Sequence, residues 1–305
     1  LASQNPPWNF LDAGVLARLS KLALHSRLPM QGFVSGMHRS AARGSSVEFA
    51  EYRKYSHGDD PRFLDWRIFA KTDRFYIREF EADTNLRCHL VIDTSGSMRF
   101  GTETVQRIDR AKSIAATLAH VLINQGDAVG LCSIGQSAPS DIPPRRATKH
   151  LQIIYHQLAN LKAANGNSLV SGLHQLAERI SQRSLVIIIS DFFDEVPLLL
   201  ECFKHLRFKK HDVALFHLLD QKELTFDFES PVNLIDTETG TSLATDPMLL
   251  RDAYLQSLNT YLHELRSGCA KFRIDYRIHR LHEDYETLLS DFFISRLRRR
   301  RNRRG

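Results

Sequence analysis

A chain of 305 residues, 43% hydrophobic and 25% charged, has the composition of a folded globular protein, which excludes disordered, collagen-like and fibrous classes and allows one large or two modest domains. The formal charge is +6, but Arg296, Arg298, Arg299, Arg300, Arg301, Arg303 and Arg304 place seven positive charges in the last ten residues, leaving 6 minus 7, or −1, on the remainder. A near-neutral body argues against a basic nucleic-acid face, so only the arginine-rich tail, residues 296–305, has the guanidinium density to meet phosphates or carboxylates.

No window holds the roughly 18 to 20 apolar residues of a membrane helix, and the strongest run, 185–189, meets Ser190 and Asp191 at once. The first ten residues lack the basic and apolar regions of a secretory signal. Cys88, Cys132, Cys202 and Cys269 are too widely spaced for a zinc site or a disulfide framework. Reduced core cysteines and a cytoplasmic location are therefore expected.

In chain order, helical spacing of Leu11, Val15, Leu16, Leu19, Leu22 and Ala23 predicts a helix over 11–28. Pro29, Gly32, Gly36 and Gly44 then mark a long loop. Residues 47–81 alternate charges with aromatics, and Phe75, Ile77 and Phe80 predict an edge strand there. From residue 86 the pattern becomes strand and helix in turn: strands at 86–92, 128–134, 185–189, 213–218 and 272–278, and helices at 108–123, 151–161, 169–180, 196–206 and 248–265. Strands apolar on both faces belong inside a parallel sheet covered by helices. The expected architecture is an α/β domain over 85–295, preceded by an extension, 1–84, and carrying a small β-hairpin insertion at 223–244.

In an open parallel sheet, ligands sit outside the carboxyl ends of the strands. Asp93 follows the first central strand and opens Asp93-Thr94-Ser95-Gly96-Ser97, while Asp191 follows the second in Ser190-Asp191-Phe192. A loop of this spacing can turn one carboxylate and two hydroxyls inward, and Ser168 offers a third hydroxyl before a predicted helix. Hard oxygen donors suit Mg²⁺ or Mn²⁺ better than zinc. The plain alternative is that both aspartates cap helices.

This constellation resembles the metal-ion-dependent adhesion site of von Willebrand factor A domains, with Ser168 where threonine is usual. The resemblance implies that Ser95, Ser97 and Ser168 ligate the metal directly and that Asp93 and Asp191 bind through metal-bound water. One position is then left for an acidic residue of a partner. Glu48-Phe49, Tyr52-Arg53, Tyr55, Gly58-Asp59-Asp60, Arg62, Asp65-Trp66 and Arg78-Glu79 look like the signature of the domain-of-unknown-function-58 family, in which this segment precedes a von Willebrand A-like domain. Asp220, Glu223 and the turn at 236–240 also fit that family. It implies a Rossmann-type, mostly parallel sheet and a non-enzymatic adaptor that works with a MoxR-type AAA+ ATPase in the maturation or assembly of a client complex.

Within the signature, Arg53, Arg62, Asp59, Asp60 and Asp65 are expected to form a salt-bridge network that pins the extension to the body. Two other functions compete with the adaptor. A metal-dependent phosphohydrolase would use Asp93 as nucleophile, but Ser95 stands where the second acid is needed. Binding of nucleic acid or an anionic surface through the arginine-rich tail would be strongly salt-dependent. Neither a G-x-x-x-x-G-K-[ST] loop nor a G-x-S-x-G elbow is present, and His282-Glu283 lacks the zincin histidine.

Overall fold

The computed structural model describes residues 8–20, 22, 47–55, 64–82, 86–101, 105–135, 141–164, 168–228, 232–235, 242–245 and 247–301. Two compact units emerge: Leu1–Leu28 with Leu86–Gly305, and Pro29–Asn85. The first helix, α1 (Ala13–Leu19), is headed by Asp12, whose carboxylate accepts from Gly14 N and Val15 N. It belongs with the larger unit, where Arg18 Nε donates to Glu286 at 2.6 Å.

In the smaller unit, β1 (Val47–Lys54) pairs antiparallel with β2 (Tyr76–Ala82), Val47 opposite Ala82 and Lys54 opposite Tyr76. The expected strand near Phe80 is therefore half of a separate two-stranded sheet. Between them lies α2 (Trp66–Thr72), which the charge pattern conceals. Asp65, expected in a salt-bridge network, is the buried cap of this helix, accepting from Arg67 N at 2.9 Å and Ile68 N at 3.3 Å. Gly58, Asp59, Asp60 and Arg62 lie outside the described residues, as does the side chain of Arg53.

The larger unit runs β3 (Arg87–Asp93), a 3-10 turn (Gly96–Arg99), α3 (Arg107–Asn124), β4 (Ala128–Ile134), β5 (Asp141–Arg145), α4 (Thr148–Asn160), α5 (Leu169–Arg179) and β6 (Leu185–Ser190). It continues with α6 (Val196–Phe208), β7 (Asp212–Leu219), α7 (Gln221–Thr225), β8 (Val232–Ile235), β9 (Ser242–Thr245), α8 (Pro247–Lys271), β10 (Asp275–Arg280) and α9 (Tyr285–Arg301). Six strands form one sheet in the order β10-β7-β6-β3-β4-β5, parallel except for β5. This is the α/β, mostly parallel and helix-flanked sheet that the sequence predicts.

Its centre is dry because every residue of β4, β6 and β7 is buried, which a strand achieves only with helices on both faces. Val91, Val186, Ile188 and Val213 pack with Leu173, Leu176, Phe203 and Leu206 of α5 and α6. Side chains alternate along a strand, so Leu90, Ile92, Ile187 and Ile189 are buried on the opposite face. All four cysteines are free and buried. Among the described residues no helix is long and apolar enough to cross a membrane.

Several elements depart from expectation. The edge strand β5 contains Pro143 and Pro144, which lack the N–H an inner strand needs and are tolerated only at an edge. Leu224, Phe226 and Phe228 alternate like a strand, yet Gln221–Thr225 is helical. Asp220 and Glu223 form a capping box, and Phe226 ends the helix at φ 47°. The insertion hairpin is instead β8 with β9, Val232 opposite Thr245, and it forms its own two-stranded sheet without joining the main one. The 236–240 turn lies outside the described residues. Arg296, the first residue of the arginine-rich tail in the sequence reading, is a core residue. It follows Phe292 and Phe293 on one helical face, is buried, and pairs with Asp212 at 2.7 Å. The side chains of 297–301 and all of 302–305 are outside the described residues.

The interior also contains His211, His217 and His279. Burial lowers their pKa values to about 4, about 3 and about 4 respectively. The unfolded chain takes up these protons near pH 6.5, whereas the folded chain resists until its lowered values are reached. Their contribution to stability is therefore complete above pH 6.5 and is lost as pH falls toward 4. The urea midpoint is expected to be lower at pH 5 than at pH 7.5, and an equal or higher midpoint at pH 5 would contradict this.

Candidate functional site

The carboxyl ends of β3 and β6 are adjacent because these strands pair in parallel, Ile92 beside Ile189. Asp93 and Asp191, both buried, therefore leave the sheet side by side. Thr94 anchors the first loop by donating from both N and Oγ1 to the Ile134 carbonyl, at 2.7 and 2.8 Å. Gly135 follows on β4 at φ 113°, where a Cβ would come within 2.8 Å of Ser95 N. The site thus rests on a glycine that permits both a left-handed backbone and close approach.

Asp93 accepts from Ser95 N at 2.9 Å and from Ser190 Oγ at 2.6 Å, and Ser190 Oγ in turn accepts from Phe192 N at 2.8 Å. Ser95 Oγ and Ser97 Oγ lie 3.0 Å apart. Burial first, then repulsion from Asp191, push the Asp93 pKa up to about 6 against hydrogen bonds from Ser190 and Ser95. Two adjacent buried carboxylates thus call for a cation.

Part of that need is met within the chain. Arg107, at the start of α3, has a side chain only 4% exposed. Its Nη1 donates to Asp191 Oδ2 at 2.8 Å and to the Ser97 carbonyl at 3.0 Å, while Nη2 pairs with Glu223. Burial works against this charge, but the Asp191 and Glu223 carboxylates outweigh it and raise the pKa. Neither Arg107 nor Ser190 is among the residues that the sequence singles out as ligands. An arginine at the head of an apolar helix in a near-neutral body is the only local signal.

Asp93, Ser95, Ser97 and Asp191 are therefore brought together. Ser168 heads α5, is exposed, and makes no capping bond with its hydroxyl. The segment that follows α4 approaches the site as far as Ala164, whose N donates to the Thr94 carbonyl at 2.9 Å, and Arg99 Nε donates to the Ala163 carbonyl at 3.0 Å. The capping alternative does not describe Asp93, which serves a loop N–H and a serine hydroxyl. Two carboxylates with two hydroxyls form a hard-oxygen set that fits Mg²⁺ or Mn²⁺. Among the described residues, no group of three His, Cys, Asp or Glu could hold a metal, so any ion must rely on the serines.

Beside the site, Phe192 takes φ 48° and its carbonyl accepts from the Tyr261 hydroxyl of α8. An open groove of about 810 Å³ follows, with Phe193, Asp194 and Glu195 on one wall and Thr260, Tyr261 and Glu264 on the other. Phe193 is 87% exposed.

A family model described as protein of unknown function DUF58 matches residues 51–261. The uncharacterized protein Rv1480 of Mycobacterium tuberculosis is 27% identical over 248 residues, spanning 79% of this chain and 77% of that protein. Among solved structures, the conserved hypothetical protein BatB from Bacteroides thetaiotaomicron is similar with a TM-score of 0.47 and 13% identity, covering 70% of this chain and 100% of that one. The SpRpn10 VWA domain gives a TM-score of 0.40 and 14% identity, covering 68% and 95%.

Proposed function

Because the chain belongs to the family of unknown function DUF58, we propose that it is a metal-dependent protein-interaction adaptor. The observation that carries this reading is the convergence of Asp93, Ser95, Ser97 and Asp191 at the carboxyl edge of the sheet, with the Ser95 and Ser97 hydroxyls 3.0 Å apart. These residues, with Ser168 on the neighbouring loop, would hold Mg²⁺ or Mn²⁺. When bound, the ion supplies a Lewis-acidic position for an acidic side chain of a partner. The groove beginning at Phe193 supports docking beside that position, because it joins an exposed aromatic ring to the polar side chains of α8.

By family resemblance the partner is a MoxR-type AAA+ ATPase, acting with this adaptor in the cytoplasm on a client complex. A phosphohydrolase has less support: both Asp93 oxygens accept hydrogen bonds, which leaves a poor nucleophile. Retention of the MoxR-type ATPase of the same organism on the immobilised protein tests the adaptor. Ser97→Ala, or EDTA with the unaltered protein, is expected to reduce retention by roughly tenfold or more. Equal retention in all three conditions would remove metal dependence from the reading.

A further inference from the structure

We infer that Arg107 competes with the divalent cation for Asp191 and that Glu223 is the seat that receives the guanidinium when the cation wins. The inference rests on the metal-dependent reading above and concerns what sets the affinity of that site. One buried guanidinium spans three groups: Asp191 Oδ2 at 2.8 Å, the Ser97 carbonyl at 3.0 Å, and the Glu223 carboxylate. Its plane also lies over Phe100, 5.0 Å from the ring centroid, so its position is fixed from several sides. Asp191 is therefore already paired with a cation that belongs to the chain and that it shares with Glu223. A second cation at the same carboxylate meets like charge at short range in a poorly screened interior.

Glu223 makes this competition reversible. Its side chain is 23% exposed, and its other oxygen accepts from Asp220 N at 2.9 Å in the capping box of α7. A guanidinium displaced from Asp191 keeps the Glu223 carboxylate that it already contacts. Occupancy of the aspartates is thereby linked to the β7–α7 turn. Such linkage is reciprocal: whatever strengthens the Arg107 to Glu223 contact more in the cation-bound state than in the cation-free one strengthens cation binding, and cation binding strengthens that contact in return.

Mn²⁺ binding to the full chain, followed by electron paramagnetic resonance, tests the inference without any activity readout. Arg107→Gln, which can still donate to the Ser97 carbonyl, is expected to bind Mn²⁺ roughly tenfold more tightly than the unaltered protein. Glu223→Gln keeps an oxygen for the Asp220 N–H but offers the guanidinium no charged seat, and is expected to bind about threefold or more weakly. The control is Lys204→Gln, which removes an exposed charge from α6 and is expected to stay within about twofold of the unaltered protein. The inference is overturned if Arg107→Gln binds no more tightly than Lys204→Gln. If Arg107→Gln does not fold, Glu223→Gln decides alone, and unchanged or tighter binding overturns it. Absence of Mn²⁺ binding by every one of these proteins would instead sink the metal-dependent reading, and this inference with it.

Discussion

Replacing Arg296 with methionine is expected to destabilise the protein by about 3 to 5 kcal/mol, the cost of removing one member of a buried ion pair. The side chain is fully buried, donates to Asp212 Oδ2 at 2.7 Å, lies 3.8 Å from Asp275 Oδ2, and covers the Phe292 ring with 4.5 Å to its centroid. Asp212 opens β7 and Asp275 opens β10, so one guanidinium on α9 closes the amino ends of two adjacent strands. Methionine keeps much of the volume but takes the guanidinium away from buried Asp212, while Asp275 keeps Arg277 at 3.3 Å. For a unit of this size the unfolding temperature is expected to fall by roughly 10 °C. Adding Asp212→Asn to Arg296→Met is expected to recover part of the loss, since a buried pair replaced on both sides is often nearly neutral. Scanning calorimetry decides: a shift within about 2 °C for the single variant would mean that α9 docks through its phenylalanines alone.

Arg296 and Arg107 also mark where local reading stops. The central strands were legible because burial on both faces leaves an unbroken apolar run, as in Leu185–Ser190. Asp93 and Asp191 followed, because ligands gather at the carboxyl ends of parallel strands. Each arginine, by contrast, meets its aspartate across 84 residues of sequence. In any local window such an arginine is indistinguishable from a solvated one, and in Arg296 the neighbouring basic run strengthens the wrong impression. Tertiary closure reverses it. The prolines of β5 and the alternating apolar residues around Phe226 mislead for a different reason. An edge position excuses the first, and a left-handed residue turns the second out of helical register. Ser168 stands between these cases: its place before α5 was legible, while the contacts of its hydroxyl depend on loop packing that no periodicity encodes.

Asp93→Asn is expected to separate stability from function. Asparagine retains an oxygen for the Ser95 N–H, and its amide can donate to Ser190 Oγ, so the hydrogen bonds of the loop survive. The substitution removes a buried charge facing Asp191. Because burial and that repulsion raise the Asp93 pKa from 3.8 to about 6, the folded state holds this proton more tightly than the unfolded chain does. Its contribution to stability is complete below pH 4 and is lost as pH rises through 6, opposite in sign to the buried histidines. At pH 7.5 in EDTA the variant is expected to be more stable than the unaltered protein, with the difference vanishing near pH 4. Millimolar Mg²⁺ should then stabilise only the unaltered protein, since a ligand raises stability only where the folded state binds it, and capture of the ATPase should be lost in the variant. Urea titrations at both pH values, with Mg²⁺ or EDTA, read all of this. A variant less stable at pH 7.5 in EDTA would mean that the chain's own groups already satisfy the Asp93 charge, and equal stabilisation of both proteins by Mg²⁺ would place the ion elsewhere.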